Sequence, residues 1–212
     1  MFLKNLEPKS GSLQESNLNG ESRMKLINLF KAAILAVTVT TLSGCGTMHA
    51  AGNLEDGAWD TFNGIWDRWV ESEGDIGHAV VWEKKVEEGI ALEDVIDAIN
   101  AVGVNRNIKN VGELPLSEEL KARGVESGVI HVMSFCNPDT ARKMLDFSPA
   151  MSAMLPCRVT IVEKEDGLYL YTMNMDMMVK MGKKMPPELK EATMAVRNTI
   201  WEMMEKGSKG EF

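Results

Sequence analysis

Histidine and cysteine are scarce in this sequence, with three of each among 212 residues. His49, His78 and His131 are scattered and show no zinc-ligand spacing. There is no Cys-x-x-Cys, and no Cys-x-x-Cys-His for covalent haem attachment. Also missing are a phosphate-binding Gly-rich loop, a Gly-x-Ser-x-Gly elbow and a paired-carboxylate signature. These absences leave every common enzyme class without a motif. Bases are outnumbered 23 to 31, for a formal charge of −8. That balance argues against non-specific nucleic-acid binding, which needs a basic face, and no nucleic-acid partner is expected. No apolar run approaches the roughly 20 residues that a membrane-spanning helix requires.

What remains is ordinary globular composition, 44% hydrophobic and 25% charged, with two oddities: 16 Met, and 5 Trp against 2 Tyr. The length suggests one domain with additions.

The N-terminus reads as an address. Residues 1–23 are polar and aperiodic, so they are expected to be disordered or a spurious extension upstream of a start at Met24. Residues 24–44 then have the layout of a signal peptide: Lys25 and Lys31, an apolar stretch from Ala32 to Val39, and Leu42-Ser43-Gly44-Cys45. The last four residues resemble the bacterial lipoprotein signal, the lipobox. The resemblance implies cleavage before Cys45 and lipidation of that residue. Removing 44 of the 212 residues leaves 168, and because the removed part holds five bases and three acids the charge becomes −10. Gly46 rather than Asp follows the cysteine. The expected location is therefore the cell envelope, lipid-anchored and facing the periplasm, with the outer membrane favoured.

Residues 45–54 read as a flexible tether. In residues 55–73, Trp59, Phe62, Trp66 and Trp69 recur at spacings of three, four and three, which predicts one face of an amphipathic helix. That face is expected to pack on the domain that follows. A partner protein or the lipid interface is the alternative, and the acidic flanks disfavour lipid.

The rest alternates between strand and helix patterns. His78–Lys84 predicts a strand. Leu92, Val95, Ile96, Ile99 and Val102 predict an amphipathic helix stopped by Gly103. Further strands are expected at 104–111, 128–135, 156–163 and 168–175, the last two joined by a Glu165-Asp166-Gly167 turn. Helices are expected at 116–123, at 138–147 and after Pro186-Pro187, and residues 207–212 read as a disordered tail. This order predicts an α+β fold, a mainly antiparallel sheet with helices packed on one face.

Phe135-Cys136-Asn137-Pro138, Ala141, Leu145, Leu155-Pro156-Cys157-Arg158-Val159 and the following strand–Asp-Gly–strand hairpin resemble the domain of unknown function 302 (DUF302) family over residues 76–206. The resemblance implies a TATA-binding-protein-like architecture and a homodimer. It brings no settled activity.

Two clusters carry possible chemistry. With Cys45 lipidated, Cys136 and Cys157 are left as a pair, at the end of one strand and the start of the next. They are candidates for a reactive thiol pair, a structural disulfide or separate packed thiols, with Asn137, Pro156 and Arg158 lining the site. A helix N-terminus after Cys136 and the charge on Arg158 would favour thiolate. Met173, Met175 and Met177 alternate at strand spacing, and with Cys157 they form a candidate soft-ligand set for Cu(I). Adaptable apolar packing explains the same methionines. The sequence thus points to an envelope lipoprotein that is most simply a non-enzymatic binding or interaction module. A periplasmic soft-metal or thiol-redox protein is the alternative.

Overall fold

A computed structural model describes residues 45–212, except the side chain of Cys45. The upstream extension, the signal peptide and the thiol of Cys45 lie outside the described residues. No helix among the described residues is long and apolar enough to cross a membrane.

Helix α1, Cys45–Gly52, replaces the expected tether. Met48, Ala50 and Ala51 are good helix formers and no proline interrupts them. Residues 53–212 form a separate compact unit. Its elements are α2 (Ala58–Glu71), α3 (Ile76–Ala79), β1 (Val81–Lys85), α4 (Leu92–Asn105), β2 (Lys109–Pro115), α5 (Leu116–Ala122), β3 (Ile130–Cys136), α6 (Pro138–Phe147), a 3-10 turn (Pro149–Met154), β4 (Cys157–Lys164), β5 (Gly167–Met173), α7 (Met175–Lys180) and α8 (Pro187–Gly207).

The five strands form one antiparallel sheet in the order β1-β5-β4-β3-β2. Period-two alternation assigns its faces. On β4, Cys157, Val159 and Ile161 are buried, while Arg158 is exposed and Thr160 and Val162 are half-buried. The buried face carries α4 and α8, so the fold is α+β with helices on one side of the sheet. Ile99 on α4, Met133, Phe135 and Leu170 on the sheet, and Ile200 and Met203 on α8 form the centre of the core.

Glycine permits the close crossing of these layers. A Cβ built on Gly207 would lie 2.7 Å from Cγ1 of Ile99. Gly103 does not stop α4, which continues to Asn105. The left-handed turn falls instead on Asn107, at φ 54°. The expected tail at 207–212 is docked: Ser208 is buried and its carbonyl accepts the Glu87 N–H at 2.8 Å.

The aromatic helix forms where expected but docks through the neighbouring face. Ala58, Thr61, Ile65 and Arg68 turn inward, and the Arg68 guanidinium donates to the Val81 carbonyl at 3.0 Å. Trp59, Phe62, Trp66 and Trp69 are exposed. The spacing marks an aromatic stripe, but small residues beside it allow closer approach to the domain, and tertiary packing uses those instead. Glu55, buried just before this helix, accepts from the Met185 N–H at 2.7 Å and from Lys190 Nζ at 2.6 Å. Burial by itself pushes its carboxyl up, but these hydrogen bonds outweigh that and hold it below the usual range.

Candidate thiol and methionine cleft

Strands β3 and β4 bring the two cysteines together. Phe135 pairs with Cys157, so Cys136 is the next residue along on the neighbouring strand. The meeting point is at the strand ends, between two interior strands, and not at a sheet edge. Both are free thiols. They line a small apolar hollow together with Phe135, Met144, Leu155 and Met178, with about 20 Å³ of free space, room for about one water.

Asn137 is the one residue of the expected lining trio that reaches this hollow. Its side chain is engaged in structure: Oδ1 accepts the Thr140 N–H at 3.0 Å as the cap of α6, and Nδ2 donates to the Asn107 carbonyl at 3.0 Å. Pro156 is not in the lining. Arg158, one residue after buried Cys157, is exposed on the other face of the sheet.

Burial pushes the Cys157 thiol up to about 11, with Cys136 adding to the rise and Arg158 opposing it. Burial raises the Cys136 thiol too. The thiolate character suggested by the helix start is therefore outweighed by desolvation. Both cysteines are expected to count as free thiols after denaturation without reductant. In the folded protein, alkylation of Cys157 by iodoacetamide at pH 7 is expected to be slow and to accelerate towards pH 11, because only the thiolate reacts. Rapid alkylation at pH 7 would show that burial does not control this thiol.

The expected methionine set is dispersed. Met173 is exposed at the end of β5, Met175 is buried in the core and Met177 is half-buried. The chain leaves strand geometry at Asn174, whose side chain accepts the Asp176 N–H at 3.0 Å and starts α7. Strand alternation therefore does not extend past Met173. A different set converges. Met144, Met151, Met178 and Met185 line a second hollow of about 320 Å³, open to solvent, with Phe147 and Lys183 on its wall. Met144 and Met178 belong to the walls of both hollows, which are therefore neighbours. Helical spacing from Met178 to Met185 hinted at two of these residues. Met144 and Met151 arrive from α6 and the 3-10 turn, and no sequence period links them to α7. The Met185 sulfur accepts a hydrogen bond from the Thr193 hydroxyl at 3.6 Å.

Asp176 anchors the neighbouring wall. It receives Nε and Nη2 of Arg197 at 2.9 and 3.1 Å, and Arg197 stacks over the Trp82 ring with 4.8 Å to its centre. Burial raises the Asp176 carboxyl, but Arg197 and Lys180 more than reverse this and it lies below the usual range. No three His, Cys, Asp or Glu side chains cluster to hold a metal among the described residues.

The family whose description is Domain of unknown function DUF302 matches residues 82–207. The chain belongs to the DUF302 family. Its fold is similar to the crystal structure of an uncharacterized conserved DUF302 protein from Bacillus stearothermophilus, with a TM-score of 0.50 and 16% identity, over 60% of this chain and 97% of that one. No curated protein matches the chain. Both cysteines and all four cleft methionines lie inside the matched DUF302 segment, whereas α1 and the aromatic helix α2 precede it.

Proposed function

We propose that this chain is an envelope lipoprotein, held by lipid on Cys45 and facing the periplasm, whose DUF302 domain is a non-enzymatic binding module. The observation that carries the binding role is the solvent-open hollow walled by Met144, Met151, Met178 and Met185, with the two cysteines in the smaller hollow beside it. The methionine-lined hollow, at about 320 Å³, lies at the lower end of the roughly 300–1,000 Å³ range of small-ligand sites, whereas the thiol hollow is too small to hold a ligand by itself. Thiols held protonated by burial suit packing against a ligand better than attacking one. Methionine lets such a wall adapt to its occupant. A second copy is the proposed protein partner. The sheet face turned away from the helices, with Ile130, Val132, Val162, Tyr169 and Tyr171 half-buried, is the surface proposed for it.

A second reading, Cu(I) binding, is favoured by one observation: four thioethers share a wall next to two thiols. Met151→Leu/Met185→Leu separates the readings, because it keeps apolar volume and removes sulfur. An apolar reporter, 8-anilinonaphthalene-1-sulfonate, is expected to bind wild type and this variant alike, and to be lost from Met151→Glu. A Cu(I) titration against a colorimetric chelator is the counterpart. Copper withdrawn by wild type but at least about tenfold more weakly by the double variant would establish the metal reading instead.

A further inference from the structure

We propose that the aromatic face of α2 is a membrane-contact surface, seated in the interfacial layer of the bilayer to which the Cys45 anchor would hold the protein. The inference rests on the reading of Cys45 as a lipidation site, and it adds a second contact that sets how the domain meets the membrane.

Trp59 is 63% exposed, Phe62 45%, Trp66 53%, Trp69 38% and Val70 55%. Such an apolar patch on one helix marks an interaction surface. It lies outside the segment matched by the family, so the DUF302 core does not need it as cover. At about 100° per residue the helix has three sides. Ala58, Thr61, Ile65 and Arg68 face the domain, the aromatics form the second side, and Asp60, Asp67 and Glu71 form the third. The carboxylates point about 130° away from the middle of the aromatic side. The aromatic face can therefore enter an interface while they stay in water.

The aromatics pair along the helix, Trp59 edge-on to Phe62 at 6.3 Å and Trp66 against Trp69 at 5.2 Å. The Trp69 indole N–H donates to the Gly74 carbonyl at 3.1 Å. Those of Trp59 and Trp66 have no acceptor among the described residues. Tryptophan in this state, an apolar ring with a polar edge, partitions to the headgroup boundary.

Charge selects the occupant. Arg68 is turned inward to Val81, so no basic residue of α2 rims the patch. Contact with anionic lipid gains nothing, and the −10 charge after cleavage opposes it. A zwitterionic lipid surface carries no such penalty. Proximity also favours it, because Cys45 precedes Trp59 by 14 residues, less than about 50 Å of chain even when fully extended.

The test uses the full chain isolated from membranes and reconstituted in phosphatidylcholine vesicles with brominated acyl chains. Three of the five tryptophans lie on this face, so emission is expected to fall by about half, and the fall to shrink at least threefold in Trp59→Ser/Trp66→Ser. Intact mass reports lipidation separately. Acylated protein without quenching overturns the face proposal and leaves the anchor standing. Protein without acyl mass overturns the anchor, and the same chain added to preformed vesicles then decides the face, with quenching sustaining it and unchanged emission overturning it. A dimer in lipid-free buffer that the double substitution abolishes overturns the proposal in favour of contact between copies.

Discussion

Phe135→Ala is expected to lower the free energy of unfolding by about 3–5 kcal/mol, the range for truncating a buried Phe. Phe135 is 1% exposed on interior strand β3. One ring edge comes within 3.4 Å of where a Cβ on Gly103 would stand, which places the ring against α4, and another part of it forms the floor of the thiol hollow. The sheet cannot close over the gap, because β3 is paired on both sides. With total stabilities of about 5–15 kcal/mol, this is a large share. Urea denaturation followed by circular dichroism reads it directly. The lost ring volume opens into the cleft, so binding of the apolar reporter by the fraction still folded is expected to rise. A loss below about 1 kcal/mol would mean that the site relaxes or that Phe135 is not part of the core.

Two glycine-to-alanine substitutions are expected to act in opposite directions. Alanine is intrinsically better than glycine in a helix by about 1 kcal/mol. At Gly64, mid-way along α2, an added Cβ meets nothing within 4 Å, and Gly64→Ala is expected to stabilise by about 0.5–1 kcal/mol. At Gly103 the added Cβ would stand 2.9 Å from the Ile108 carbonyl oxygen and 3.3 Å from the Met203 methyl. The first neighbour is backbone, and its residue is tied back by the Ile108 N–H donating to the Gly103 carbonyl at 2.8 Å. The Ile108 carbonyl cannot move without shifting α4 from the start of β2. Gly103→Ala is therefore expected to destabilise by about 1–3 kcal/mol despite its better helix propensity. Thermal melts of the two variants beside wild type show the sign. Stabilisation by both would mean that the crossing has slack.

Local patterns carry most of the element order. Leu92 to Val102 read as a helix because one face of it is buried. The Glu165-Asp166-Gly167 turn read as a hairpin because Gly167, at φ 127°, supplies a backbone that other residues resist. Cys136 and Cys157 were recognisable as neighbours because each sits at a strand end and the strands pair antiparallel.

Composition and periodicity suffice for the α+β class, the aromatic stripe at 59–69, the strand ends that carry the cysteines and the lipobox pattern around Cys45. Only the tertiary structure decided what those features face. Helical periodicity says that Trp59, Phe62, Trp66 and Trp69 share a side. It does not say which side docks, and the smaller Ala58, Thr61 and Ile65 lie closer to the domain. Strand periodicity grouped Met173, Met175 and Met177 until Asn174 capped a new helix and ended the alternation. The methionines that converge come from α6, the 3-10 turn, α7 and the segment before α8, pieces separated in sequence by up to 41 residues between Met144 and Met185. Burial then set both thiols above their usual range, because desolvation depends on everything packed around a group and a sequence neighbour such as Arg158 can point the other way.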